Sequence, residues 1–264
     1  MKKGIFLFVI SMLMIGILAA CGTNNDSKKS AKEKGKEEKK VLKMGTASDY
    51  PPFEFVDTAK SNEIIGFDID LVKMIGDKLG YEIKVQDYDF SGLIPALQAG
   101  KLDLVLSGMT PTAERKESVD FSDVYYEAKH MIVSQKDSKI ETLDDLNGKT
   151  LGVQLASIQE EKANELAESL ELKVENRDRI PELVQEILAG RFDAAIIEDK
   201  IANGYLKENK DLVGFTIEED SEEAGYAIAF PKDSELTEEF NKALKELMEN
   251  GELEKLEKKW LQGE

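Results

Sequence analysis

Residues 106–126 read Leu-Ser-Gly-Met-Thr-Pro-Thr-Ala-Glu-Arg-Lys-Glu-Ser-Val-Asp-Phe-Ser-Asp-Val-Tyr-Tyr. A mostly apolar strand, Leu102–Leu106, runs out here into small polar residues. Ser107, Gly108 and Thr110 offer backbone N–H groups and hydroxyls with little bulk in front of them. Pro111 and Thr112 start a short helix, with Thr112 as N-cap and Glu114 at the positive end. Arg115 follows in the first turn, and its planar fork matches a carboxylate bidentately. A strand end, a helix N-terminus and an arginine together form a receptor for a small carboxylate. The alternative is a surface Arg115 paired with Glu114 or Glu117.

Working outward, strand and helix signals alternate. Val41–Gly45 reads as a strand, followed by a loop, Thr46–Phe55, in which Pro51 and Pro52 exclude a helix. That loop would put Asp49, Tyr50 and Phe53 outside a strand C-terminus, where open α/β sheets bind ligands. The alternative makes the aromatics ordinary core and Asp49 a turn residue. Helix Leu71–Leu79 stops at Gly80, strand Glu82–Gln86 follows, and an apolar-faced helix after Asp89 carries Phe90. This order predicts a mostly parallel sheet with right-handed crossovers.

Five segments stand in one order: Asp49-Tyr50-Pro51-Pro52-Phe53-Glu54, Gly66–Leu71, Leu93–Leu97, Gly108–Arg115 and Asp120-Phe121-Ser122. Together they resemble the extracellular amino-acid-binding proteins of ABC importers, including glutamine-, histidine- and arginine-binding members. Arginine-binding lipoproteins of Bacillus-type Gram-positive bacteria also share Val153-Gln154-Leu155 and Ile158-Gln159-Glu160-Glu161. The resemblance implies an α/β fold of two lobes, the type II periplasmic-binding-protein arrangement, with two hinge crossovers. It places lobe 1 at residues 41–129 and 224–264 and lobe 2 at 130–223. It also implies that an amino acid binds between the lobes and passes to the transmembrane subunits of an ABC permease.

In the second half, Ser157 and Glu160 fit a capping box opening a helix to about Leu170, so Ile158 and Gln159 present free N–H groups. A merely solvent-capped helix fits the same spacing. Ala194–Ile197 is a buried strand ending at Glu198. In the family the acid at that position, usually Asp, holds the ligand's α-ammonium. Two further departures are Ala47, where many relatives carry Asp, and Ile158, where a Thr often meets the carboxylate. Residues from Phe215 to Glu223 read as an acidic loop, and Ala224–Phe230 as a strand crossing back. Helices near Leu236–Asn250 and Leu253–Trp260 would then pack on lobe 1.

The implied ligand roles are specific. Arg115 takes the carboxylate with N–H groups near Ser107, Gly108, Thr110, Ser157 and Ile158, and Glu198 takes the ammonium. Tyr50 and Phe90 flank the side-chain stem, and Asp49 or Gln159 meets its tip. Arginine or another basic or polar amino acid is the expected ligand. No cofactor or metal is expected. An enzyme on the same fold is a rival reading, as is a receptor domain, although no kinase or membrane-spanning output follows Trp260.

The chain is 264 residues long, with 35 Lys and Arg against 53 Asp and Glu, a formal net charge of −18. Such acidity offers no basic surplus for phosphates and disfavours nucleic acid. The lone His130, on an apolar strand, has no nucleophile or second base in the pattern to make it catalytic. Met1-Lys2-Lys3 and the apolar run to Ala20 read as a signal peptide, 1–20. Leu18-Ala19-Ala20-Cys21 resembles a lipobox, which implies a lipidated Cys21 on the outer face of the cell membrane. An uncleaved membrane anchor is the alternative. Residues 21–40 have almost no apolar content and read as a tether.

Overall fold

The computed structural model describes residues 39–58, 62–218 and 225–262; the signal, Cys21 and most of the expected tether lie outside them. Strand β1 (Lys40–Thr46) leads into a small hairpin, β2 (Asp49–Tyr50) and β3 (Glu54–Val56), extended by β4 (Ile64–Ile65). Helix α1 (Phe67–Leu79), strand β5 (Tyr81–Asp87), α2 (Phe90–Gln98) and β6 (Leu104–Val105) follow. The short α3 (Ala113–Ser118) leads to β7 (Val119–Phe121), and β8 (Tyr126–Glu127) to β9 (His130–Gln135). A 3-10 turn at Leu143–Leu146 precedes β10 (Thr150–Gln154), α4 (Ile158–Ala167), β11 (Lys173–Arg177) and α5 (Ile180–Leu188). Next come β12 (Ala194–Glu198), α6 (Asp199–Glu208) and β13 (Leu212–Thr216). The chain returns through β14 (Gly225–Tyr226) to β15 (Ala229–Pro231), then forms α7 (Glu235–Glu249) and α8 (Glu252–Glu257).

Two five-stranded sheets organise these elements. The first runs β5-β1-β6-β15-β7 and the second β11-β10-β12-β9-β13. Strand β1 pairs in parallel with β5 and β6, and β10 with β11 and β12, whereas β15 and β9 are antiparallel to their neighbours. Between the sheets the chain passes out through β8 and back through β14, which pair antiparallel over Gly225↔Glu127 and Tyr226↔Tyr126. Among the described residues no helix is long and apolar enough to cross a membrane.

The helices form because their apolar residues repeat on one face. In α5, Ile180, Leu183, Val184 and Ile187 are buried at i, i+3, i+4 and i+7 against the second sheet. Each such burial stabilises the fold by roughly 1.5–3 kcal/mol relative to exposure. Helix α1 buries Phe67, Ile69, Leu71, Val72 and Ile75 and stops at Gly80, whose φ of 81° lies in the left-handed region.

Four local expectations change. Strand β1 already begins at Lys40, which pairs with Tyr81, so the tether is one residue shorter. The expected loop after β1 is the β2–β3 hairpin, too short for alternation to reveal. The expected acidic loop from Phe215 begins as strand, because Phe215 and Thr216 complete β13 against Ile132 and Met131. The single return strand splits into β14 and β15 around Ala227 and Ile228.

Candidate ligand-binding cleft

The cleft lies where strands of both sheets run out. From β6, the Ser107 Oγ accepts the Ala47 N–H (2.9 Å) and donates to Glu54 Oε1 (3.0 Å). Gly108 has φ +54°, and a Cβ there would stand 3.1 Å from the Tyr50 ring, so a side chain would strain the turn and crowd the cleft wall. Thr112 caps α3 as expected, accepting the Arg115 N–H at 3.2 Å. That cap turns Arg115 inward, where it is only 8% exposed. Its Nη1 donates to Thr110 O and its Nη2 crosses to Ala156 O, both at 2.9 Å, with the Phe90 ring 5.4 Å below. Burial lowers the Arg115 pKa, opposed by the charges of Glu161, Glu114 and Glu198. Arg115 is therefore a buried cation held by two carbonyls, and an entering carboxylate would be a stronger partner than either.

Opposite, β12 delivers Glu198, which is 3% exposed. The Tyr50 hydroxyl donates to its Oε2 at 2.5 Å and Gln159 Nε2 to its Oε1 at 3.1 Å. Burial nevertheless pushes the Glu198 carboxyl up to about 8. Burial also raises the Tyr50 hydroxyl, reinforced by the Glu198 charge. A cation brought against Glu198 would restore its charged form. The cleft thus holds a donor fork and a carboxyl, the two ends of a zwitterion's complement. The cleft has a volume of about 320 Å³, counting its open mouth.

Residues 42–263 match the family of bacterial extracellular solute-binding proteins, family 3. The chain belongs to this family. It is 58% identical, over all of both chains, to the arginine-binding extracellular protein ArtP of Bacillus subtilis (strain 168). Among solved structures it resembles the substrate-binding protein of an amino acid ABC transporter, with TM-score 0.80 and 44% identity, covering 84% of this chain and 99% of that one. It also resembles an ancestral arginine-binding protein bound to arginine, with TM-score 0.77 and 42% identity, covering 83% and 97%. Its fold is the two-domain α/β arrangement of periplasmic binding proteins.

In this solute-binding protein every expected site residue except Asp49 and Phe53 lines the cleft: Tyr50, Phe90, Ser107, Gly108, Thr110, Arg115, Ser157, Ile158, Gln159 and Glu198. Phe53 is instead fully buried, meeting Phe67, Tyr126 and Tyr226 edge-on at 5.8, 4.9 and 5.0 Å between ring centroids. Asp49 faces away because successive residues of β2 point to opposite sides, and Tyr50 takes the cleft side. Its Oδ2 accepts the Ile180 N–H at 2.8 Å and its Oδ1 lies 3.3 Å from Arg179 Nη1.

The sequence reading missed Gln154 as a lining residue, although its place at the end of β10 is a strand-end signal. Behind Ser107 and Gly108 stands a fully buried pair of acids, Glu54 and Asp68. Asp68 Oδ2 accepts the Tyr125 hydroxyl at 2.8 Å and the Gly108 N–H at 3.4 Å. Burial raises both carboxyls, Asp68 to about 7 and Glu54 well up, with the Asp68 charge adding to the rise at Glu54. Asp68 accepts two hydrogen bonds and Glu54 only that of Ser107, so Asp68 is the better stabilised of the two as a carboxylate. Among the described residues no group of three His, Cys, Asp or Glu could hold a metal.

Proposed function

We propose that this solute-binding protein captures a basic amino acid, arginine first, between its lobes and delivers it to an ABC permease. The observation that carries this is the pairing of buried Arg115 and buried Glu198 across one cleft, each held by neutral partners a zwitterion can replace. The carboxylate binds Arg115 with help from N–H groups of the Thr110 and Ile158 turns, and the ammonium binds Glu198. Tyr50 and Phe90 flank the stem, a surface suited to a guanidinium as well as to methylenes. With Asp49 turned away, Gln159 and Gln154 meet the tip. The 58% identical relative is an arginine-binding protein and the ancestral arginine-binding protein holds arginine, and both support arginine here. The neutral amides at the tip favour a second reading, glutamine or another polar amino acid.

Lobe 1 is taken as residues 41–129 and 224–264 and lobe 2 as 130–223, hinged at β8 and β14. The protein binds and does not transform its ligand. Cys21, outside the described residues, is lipidated after removal of residues 1–20 and anchors the chain to the outer face of the membrane. Mass spectrometry of ligand retained on purification, with calorimetry of arginine, lysine, histidine and glutamine, tests the ligand. Equal affinity for glutamine and arginine overturns the basic reading.

A further inference from the structure

The two lobes meet at a second place, outside the cleft. Arg179 is the N-cap residue of α5, the helix whose apolar face is buried in the second sheet. Its side chain reaches back across to the first lobe. Nε donates to Asp89 Oδ1 at 2.7 Å, Nη1 to Asp87 Oδ1 at 3.1 Å and Asp49 Oδ1 at 3.3 Å, and Nη2 to Asp87 Oδ2 at 3.1 Å. The second oxygen of Asp49 accepts the Ile180 N–H at 2.8 Å, so an acid of one lobe caps a helix of the other. None of these residues lines the cleft.

The three acids come from β2, the end of β5 and the N-cap of α2, brought to one rim by the first sheet. Three carboxylates gathered on one rim repel one another, and a single planar guanidinium answers them through four N–H···O contacts. Its side chain is 22% exposed and that of Asp49 11%, against 45% and 54% for Asp87 and Asp89. The inner half of the cluster is therefore shielded from water and salt more than an ordinary surface pair. The Arg179 pKa is raised, the bonds and charges of these acids outweighing its partial burial, and that of Asp87 is lowered by its Arg179 and Ser48 bonds despite its own desolvation. Burial raises Asp49 in spite of the Ile180 N–H and Arg179.

These contacts join residues some 90 to 131 positions apart and exist only while the lobes are together. Their free energy belongs to the closed form alone. A contribution to the closed form that involves no ligand atom changes the affinity of every ligand by the same factor.

We propose that Arg179 is a positioning residue for capture: through Asp49, Asp87 and Asp89 it latches the lobes and sets affinity without touching ligand. The proposal rests on the reading of the cleft as the capture site. Its test is Arg179→Met in the full chain, which keeps much of the apolar stem and removes the charge, with Arg179→Lys beside it. Calorimetry and stopped-flow binding are run for arginine and for each other amino acid the wild type binds, at low and high salt. The expected result is about a tenfold weaker Kd, equal across ligands and located in the off-rate, with Lys intermediate. High salt should weaken wild-type binding more than that of the Met variant, narrowing the gap between them. A purely structural cap would lower resistance to urea and leave Kd and its salt dependence alone. A Kd within twofold of wild type, an unchanged off-rate, or losses that differ between ligands overturns the latch. A wild type that binds none of these amino acids overturns the cleft reading instead. The latch is then judged without ligand, by electron–electron resonance distances between spin labels at Lys101→Cys and Lys207→Cys in a Cys21→Ala background. Wider lobe separation in Arg179→Met supports it, and identical distributions overturn it.

Discussion

Two turns face each other across the cleft, residues 106–115 in the first lobe and 154–161 in the second. Both follow a strand end, and both open a helix whose N-cap hydroxyl, Thr112 or Ser157, accepts the N–H three residues on, at 3.2 Å in each. Beyond the cap they diverge. The first turn carries Arg115 and aims its charge into the cleft. The second carries Glu160 and folds that charge back, one oxygen on the Ala156 N–H at 2.7 Å and the other on Asn176 Nδ2 at 2.8 Å. One construction thus yields a cationic wall and a neutral wall, depending on whether the charged side chain lines the cleft, as Arg115 does, or folds away from it onto Ala156 and Asn176, as Glu160 does. The acid of the second wall comes instead from Glu198, at the end of a different strand.

The sharpest way to break this contrast is Arg115→Ala, which removes the cationic wall. Binding of every amino acid should weaken by about 3–5 kcal/mol, because a buried carboxylate loses its partner. Calorimetry that finds the variant unimpaired would dismiss the site. Next in size is Glu198→Gln, read through protons. The Glu198 carboxyl stands at about 8 in the ligand-free chain, above its ordinary value of 4.5. Its contribution to stability is therefore full below pH 4.5 and is lost as pH rises through 8. An α-ammonium would lower that pKa, so capture near pH 7 should release up to about one proton. Binding heats measured in buffers of different ionisation enthalpy should show the release in wild type and not in Glu198→Gln. Equal release in both would place the proton elsewhere. Urea titration of the ligand-free pair should also show wild type losing stability relative to the Gln variant from pH 5 to 8.

Smaller effects sharpen the comparison of the turns themselves. Ser157→Ala should lower stability by about 1 kcal/mol in urea, the usual worth of a hydroxyl cap. Glu160→Gln removes only the charge of the folded-back carboxylate and should change stability by less than about 0.5 kcal/mol. A larger loss at Glu160 than at Ser157 would mean that the back-folded acid, rather than the cap, holds the second turn.

How much of this was legible follows the range of each interaction. Helix α1 with its Gly80 stop, the Thr112 and Ser157 caps, and the strand ends at Ser107 and Glu198 are local patterns, and the sequence shows them. The Ser157 capping box is half right: the cap forms, but the Glu160 carboxylate reaches past Ser157 to Ala156. The place of Arg115 was readable as a receptor, whereas its burial was not, since Glu114 and Glu117 offered equally good partners nearby. Asp49 was misplaced because β2 is two residues long, too short for alternation to say which side faces inward, and Phe53 because it sits in the turn between β2 and β3, where no alternation applies. Arg179 carries no local mark at all. Its partners lie across the other lobe, and only the folded chain brings them to one rim.

The β8–β14 ribbon, with its two paired positions, sets the mechanics of that rim. It attaches to the first sheet at β7 and β15 and to the second at β9, while Asp87 ends β5 and Arg179 follows β11. In each sheet the latch element lies three strands from the ribbon's nearer attachment, a moment arm of about 14 Å at ordinary strand spacing. A rotation of about 10° about the ribbon moves such a point by about 2.4 Å, enough to carry a hydrogen bond beyond its range. A latch at the far edge would thus resist torque on the ribbon and yield within a narrow angle. With the proposed latch in place, the first few degrees of opening would be the stiff ones.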